Sequence, residues 1–408
     1  VTVAALASRL SVSLAGDVLS AAVAQGTLLH RATQTIDPAA VAARARGLIE
    51  VLARGARQRA LTQAALADLR TLGEDLYRAL LPEATRGELA DLAGSVLLLE
   101  LDEALVGLPW ELLHDGRAFL CRRFDLGRAV VTAAPRRAAP ARELARPAQL
   151  AVLLSDARRD LPRLAEEGEA IVDALEAHPG VVVHLTSAGT VDAARATLRD
   201  AELVHYAGHA DYQQGDPGAS SWAFADGPLD ARAIRALGRL PLFVFANGCA
   251  SSHEPPAGDP ARVFGLASAF LQGGTRFVLG TQWDVVDAQA RVFAAAFYRE
   301  LGRGRALGAA VRRARDAVIV AEGEGGLGWA SYVLYGDPGA VLLEAAEAAA
   351  PPPFPSPVEL GQRESLRAVG KRARPRRPPA PRARWPWLAA GLFSLVGALA
   401  AYWWAALR

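Results

Sequence analysis

Cysteine is almost absent from this 408-residue chain: Cys121 and Cys249 are its two thiols. That scarcity excludes a disulfide scaffold and fits a reducing compartment. Neither cysteine belongs to a CxxC pair, and the seven histidines show no zinc-ligand spacing. The sequence therefore predicts no metal and no other cofactor. Methionine is missing altogether, and Arg greatly outnumbers Lys, a bias that points to a GC-rich bacterial genome. Residues 1–30 lack the basic start and apolar run of a secretory signal. No repeat of 20–50 residues is visible, which excludes a solenoid. Apolar material is plentiful instead: 51% of residues are hydrophobic, mostly Ala, Leu and Val, enough for one large domain or two.

The net charge of +2 conceals a split. Residues 363–384 hold nine basic side chains, Arg363 to Arg384, against Glu364 alone, a local +8 that leaves −6 on the rest. Directly after it, residues 387–407 run for 21 positions without a charge. At about 1.5 Å per residue, a helix of that length crosses the roughly 30 Å hydrocarbon core. Trp385 and Trp387 stand at one end and Tyr402, Trp403 and Trp404 near the other, as interfacial aromatics do. The arginines on the N-terminal side predict a single-pass protein of the bacterial inner membrane with its large domain in the cytoplasm. A buried C-terminal helix is the alternative. The basic run also has a nucleic-acid reading, but beside an apolar span it reads as a contact for anionic headgroups. No nucleic-acid partner is expected.

Residues 1–100 read as mostly helical, with Asp37-Pro38 opening a helix, apolar steps of three and four through 40–80, and a buried strand at Ser95–Leu101. From Gln149 strands and helices alternate: strands at 150–154, 181–185, 203–206, 242–246, 277–279 and 332–334, helices at 165–177, 191–200, 261–272, 288–301 and 306–321. Such alternation predicts an α/β sandwich with a mostly parallel sheet. The predicted organisation is an N-terminal lobe at 1–134, an Arg/Pro-rich connector at 135–148 and an α/β domain at 149–345. A Pro/Arg-rich disordered linker at 346–386 and the transmembrane helix at 387–407 follow.

Two of those strands end in reactive side chains. One reads Leu203-Val-His-Tyr-Ala-Gly-His-Ala210 and the other Leu242-Phe-Val-Phe-Ala-Asn-Gly-Cys-Ala-Ser-Ser252. In open α/β sheets function gathers beyond the carboxyl ends of strands. A thiol nucleophile needs a base, and neighbouring parallel strands would set His209 beside Cys249. Gly208 and Gly248 would leave room for a substrate backbone. N–H groups of the following turn could meet an oxyanion. A small buried hydrophobe is the competing reading of Cys249.

These two segments resemble the CHAT family, bacterial relatives of caspases and separases. Leu108-Pro-Trp-Glu-Leu-Leu-His-Asp-Gly116, Phe270–Gly280, Gln282-Trp-Asp-Val-Val-Asp287 and Ser331-Tyr-Val-Leu-Tyr-Gly-Asp-Pro338 extend the resemblance over roughly residues 70–345. It implies a caspase-hemoglobinase-like α/β sandwich with a helical N-terminal lobe, and 149–345 as the catalytic domain. It further implies a thiol endopeptidase with His209 as base and Cys249 as nucleophile, and with the backbone N–H groups of Ala210 and Cys249 as oxyanion hole. The family more often has Gly where Ala210 stands, which leaves the donor intact. His205 reads as a satisfied core histidine, His253 as a loop histidine and Cys121 as a buried thiol without chemistry.

For substrate choice, Asp284 and Asp287 resemble acidic positions that hold an arginine at the cleaved bond. Asp156, Arg158 and Arg159 follow the first catalytic strand, where caspases place an arginine that selects acidic residues. A basic or neutral residue is favoured. The implied role is cleavage of a protein substrate in bacterial antiviral defence or regulated death, with a gasdermin-like pore former as one possible effector. The alternative is a catalytically silent scaffold that tethers partners to the membrane.

Overall fold

The structure, a computed structural model, describes residues 8–25, 28–58, 60–92, 95–132, 144–187, 189–213, 216–249, 262–283 and 285–346. Of residues 28, 217, 249 and 262–264 it describes the backbone alone. All of these lie in one unit, Val1–Glu347. The predicted linker beyond 346, the predicted span 387–407, Asp284, His253 and most of the 135–148 connector fall outside the described residues. Among the described residues no helix is long and apolar enough to cross a membrane.

The chain opens with strands β1 (Ser8–Ala15), β2 (Val18–Gln25) and β3 (Leu28–Thr35), an antiparallel meander. This corrects the helical reading of the first hundred residues. Leu10 and Val12 are buried while Arg9 and Ser13 face out, the period-two signature of a strand. Gly16, with φ of 63°, and Asp17 make the two-residue hairpin loop. Alanines at 15, 21, 22 and 24 blur that alternation in the sequence. Helices follow as expected: α1 (Pro38–Gln58), α2 (Gln63–Leu80) and α3 (Glu83–Ala90). Thr62 caps α2, its hydroxyl accepting from the Ala65 N–H at 3.2 Å.

Strand β4 (Val96–Asp102), the short helices α4 (Glu103–Val106) and α5 (Leu120–Arg123), and strand β5 (Asp125–Val131) complete the N-terminal half. Then come β6 (Ala148–Ser155), α6 (Leu164–Leu175), β7 (Val181–Ser187), α7 (Val191–Asp200) and β8 (Leu203–Asp211). A hairpin of β9 (Ser221–Phe224) and β10 (Gly227–Asp230) precedes α8 (Ala231–Ala236) and β11 (Phe243–Cys249). The described chain closes with α9 (Arg262–Gly273), β12 (Phe277–Thr281), α10 (Asp287–Gly302), α11 (Leu307–Glu322), α12 (Gly328–Ser331) and β13 (Tyr332–Tyr335).

The sheet runs β7-β6-β8-β11-β12-β13-β5-β4-β1-β2-β3, with β9 and β10 continuing from the far end of β8. From β7 to β12 every pairing is parallel, and β13 joins antiparallel. Buried parallel strands need cover on both faces. On one face Phe245 meets Phe293 and Phe297 of α10, which packs beside α6. On the other, Tyr206 stacks on Trp222 at 4.1 Å and Trp222 meets Phe270 of α9.

The two halves of the sheet join where Tyr335 of β13 pairs with Arg128 of β5. Arg128 is buried, donating through Nε to Glu111 at 2.9 Å, through Nη1 to the Val106 carbonyl at 2.7 Å and through Nη2 to the Leu108 carbonyl at 3.2 Å and to the second Glu111 oxygen. Trp110 Nε1 donates to the Leu105 carbonyl at 2.8 Å. The Leu108–Gly116 motif is thus a clasp across this joint.

Candidate active site

Strands β8 and β11 are direct parallel neighbours, and their register sets Gly208 opposite Gly248 and His209 opposite Cys249. Both strands are longer than their apolar runs. β8 continues to Asp211 because β9 takes up Ala210 and Asp211 by antiparallel pairing with Trp222 and Ser221. His209 therefore stands within a strand, where a turn was expected, and it is fully buried. Thr281 of β12 donates its hydroxyl to the Gly248 carbonyl at 3.1 Å, which ties down the end of β11.

The two glycines have a different role from the expected one. A Cβ at Gly208 would lie 2.5 Å from the Ser155 carbonyl oxygen and 2.8 Å from the Tyr206 hydroxyl. At Gly248 it would lie 2.8 Å from the Ala210 Cβ. The space they leave is filled by neighbouring strands, so the glycines allow the strand ends to close up. Tyr206 confirms the tightness: its hydroxyl donates to the His209 carbonyl at 2.7 Å, and burial pushes its pKa well above the ordinary range.

One step below His209, on the face covered by α6 and α10, lies a buried polar chain. His205 Nε2 meets Glu167 Oε1 at 2.9 Å, and Asn247 Nδ2 donates to the same oxygen at 2.7 Å. Tyr332 donates its hydroxyl to Asn247 Oδ1 at 3.1 Å. Tyr298 lies 3.2 Å from His205 Nδ1, and burial, then the Glu167 charge, hold its hydroxyl protonated. A consistent assignment has Tyr298 donating to Nδ1 while Nε2–H donates to Glu167. His205 is the satisfied core histidine the sequence suggested. Tyr332, from the Ser331–Pro338 motif, braces β11 two residues before Cys249.

The loop after β6 supplies carboxylates. Asp160 Oδ1 stands 2.7 Å from His209 Nε2, and Asp156 Oδ1 stands 3.7 Å from it. Asp156 shapes this loop by accepting from the backbone N–H groups of Asp160 at 3.0 Å and Leu161 at 3.4 Å. Arg159, at φ 59°, makes the turn, its N–H donating to the Asp156 carbonyl at 3.3 Å. Arg158 pairs with Asp211. Asp287, at the start of α10, is partly buried. Burial first, and then the charges of Glu167 and Asp160, raise its pKa, while His209 and Arg163 oppose the rise.

Of the residues singled out in the sequence, the structure thus gathers His209, Asp156 and Asp287, with the Cys249 backbone alongside. Ala210 is buried in the β8–β9 pairing. Cys121 is buried in α5, and burial pushes its thiol up to about 11. Sequence reasoning missed Asp160 and Glu167. A signal existed for Glu167, which shares the apolar stripe of α6 with Gly168, Ile171 and Leu175. Asp160 had none, since only the fold of the loop turns it toward β8.

A largely parallel α/β sheet with this strand arrangement is the fold of caspase-like proteases. The chain belongs to the CHAT domain family, whose model matches residues 70–337. The crystal structure of the Saccharomyces cerevisiae separase–securin complex is similar, with TM-score 0.51 at 12% identity over 81% of this chain and 30% of that one. This chain therefore corresponds to less than a third of that separase chain. A solved structure described as a protease matches with TM-score 0.43 at 10% identity, over 68% of this chain and 70% of its own. No curated protein matches.

Proposed function

We propose that this chain is a cysteine endopeptidase in which His209 and Cys249 form the catalytic dyad. The observation that carries the reading is the β8–β11 register, which makes the two residues cross-strand partners at the carboxyl edge of a parallel sheet. In the proposed reaction His209 takes the Cys249 thiol proton and the thiolate attacks the scissile carbonyl carbon. The oxyanion is met by the backbone N–H groups of Cys249 and Ala210. The imidazolium gives its proton to the leaving amine, and a thioester remains. Water, deprotonated by the same imidazole, then hydrolyses that thioester and frees the thiol. Asp160, 2.7 Å from Nε2, is placed to steady the imidazolium.

The cleaved bond follows a basic residue in this reading. Asp156 and Asp160 stand beside His209, and the charges of Glu167 and Asp160 reach Asp287 against the opposing charge of Arg163; Asp284 precedes Asp287 by three positions in the sequence. Arg158, the candidate for acidic substrates, is already paired with Asp211. The separase structure is of a complex with securin, and by analogy a protein is the substrate here. Residues 363–384 and 387–407 would hold the enzyme at a bacterial inner membrane, near a membrane-acting target such as a gasdermin-like pore former in antiviral defence.

The test is a fluorogenic peptide library presented to the full chain in lipid, beside Cys249→Ala and His209→Ala. Loss of cleavage by about 10⁴-fold or more in each variant, with unchanged melting, is expected. A preference for Arg or Lys that weakens in Asp287→Asn identifies the pocket. A wild-type chain that cleaves nothing, even beside candidate partners, would make it a membrane-tethered scaffold.

A further inference from the structure

The loop after β6 and the end of β8 bring together three donor atoms from residues too scattered in sequence to suggest a ligand set. These are Asp156 Oδ1, Asp160 Oδ1 and His209 Nε2, all within 4.8 Å of one another. We propose that they form an inhibitory site for a divalent cation of the zinc class. In its consequence, though not in its binding, the proposal rests on the dyad reading above.

The geometry suits such an ion. At bond lengths of about 2.1 Å, donors around tetrahedral Zn²⁺ stand about 3.4 Å apart. The two observed separations from Nε2, 2.7 and 3.7 Å, bracket that value. Two carboxylates and one imidazole, with a fourth position left to water, make an open three-ligand zinc site. The imidazole is fully buried, whereas the Asp156 and Asp160 side chains are 32% and 42% exposed, so an ion can enter from the solvent side. The loop is pre-shaped, because Asp156 already accepts from the Asp160 and Leu161 N–H groups. Carboxylates outweigh their nearest counter-charges here: the charges of Glu167 and Asp160 are felt at Asp287 more strongly than the opposing charge of Arg163, and the nearby Arg158 is matched by Asp211.

Inhibition follows from the valence of the ring. A neutral imidazole bound to metal through Nε2 carries its proton on Nδ1, so neither nitrogen keeps a lone pair for the Cys249 proton. The cation also draws Asp160 away from the imidazolium it would otherwise steady. Zinc would then hold the enzyme silent until a chelating partner or falling free zinc released it.

The binding test uses the untagged full chain carrying Cys249→Ala, titrated with Zn²⁺ by calorimetry and with Co²⁺ by visible absorption. One ion per chain is expected, without a thiolate charge-transfer band. Affinity should fall by at least about tenfold in Asp156→Asn and in Asp160→Asn, with melting curves confirming that both fold. No binding, or binding in both Asn variants as tight as in the parent chain, would overturn the site. So would binding to the wild type that vanishes in Cys249→Ala, which would put the ion on the thiolate. The activity test adds Zn²⁺ to cleaving wild type: reversible inhibition is expected, with the half-inhibiting concentration at least about tenfold higher in Asp156→Asn. Binding without inhibition would overturn the regulatory role. A chain that binds zinc but cleaves no peptide would leave the site standing and remove the dyad reading instead.

Discussion

Two buried polar clusters sit on this one sheet, and they differ in what they leave unfinished. At the joint of β5 and β13, Arg128 is ringed by Glu111 and the carbonyls of Val106 and Leu108, every contact made within the fold. At the ends of β8 and β11, Glu167, His205, Asn247, Tyr298 and Tyr332 satisfy one another below. Above them His209 meets carboxylates that are still open to solvent. The first cluster is closed and serves architecture. The second is closed beneath and open on top, as an arrangement built to hold reactive groups at a sheet edge would be. Burial of charge alone therefore does not mark a site; access to the last shell of polar atoms does.

The largest effect should come from breaking the closed cluster. Arg128→Ala leaves Glu111 buried without its counter-charge, and a loss of about 3–5 kcal/mol is expected in urea unfolding. Replacing the pair together by Met and Leu should recover much of that, with cleavage per folded molecule unaltered. An Arg128 variant that stays stable but loses cleavage would erase the distinction between the clusters.

The open cluster should respond in both currencies. Glu167→Ala removes the shared acceptor of His205 and Asn247, for an expected loss of about 1–3 kcal/mol. Because Asn247 lies two residues before Cys249, kcat should also fall about tenfold with KM little changed. Glu167→Gln keeps an acceptor oxygen and should restore most of the rate. A purely structural role would instead lower stability and leave kcat of the folded enzyme alone.

The smallest effect concerns the two thiols. Burial raises Cys121 to about 11, so at pH 8 only about one part in a thousand is thiolate. Iodoacetamide should label Cys249 in the native chain and reach Cys121 only after unfolding. The linkage has a definite sign. A folded-state pKa above the unfolded one gives stability that is complete below about pH 9 and is lost as pH rises through about 11. That loss, on the order of 3 kcal/mol, should disappear from the alkaline melting curve of Cys121→Ala.

Much of the second half was legible in advance. Helix 191–200 and the strands starting at 181, 203 and 277 emerge from periodicity alone, because buried parallel strands read as short apolar runs between amphipathic helices. The first strands were not, since three of the eight residues of β2 are alanine, which fits helix and strand alike. Nor was the role of Gly208 and Gly248, because they are matched to the Ser155 carbonyl and the Ala210 side chain, atoms brought near only by strand pairing. The Leu108–Gly116 motif stood out as a pattern, but its purpose as a clasp for Arg128 depends on a strand that periodicity did not reveal.

The sequence by itself determined the class of sheet, the two strand ends that carry His209 and Cys249, and the charge contrast of the tail. These are local properties: apolar runs, side-chain chemistry and the order of residues along one segment. Tertiary structure alone decided that β8 lies against β11 in the register that faces His209 with Cys249. It alone turned Asp160 toward the imidazole and set Glu167 beneath both strands. Those meetings join residues separated by up to 80 positions, and no local pattern encodes a distance between segments until the core has packed them together.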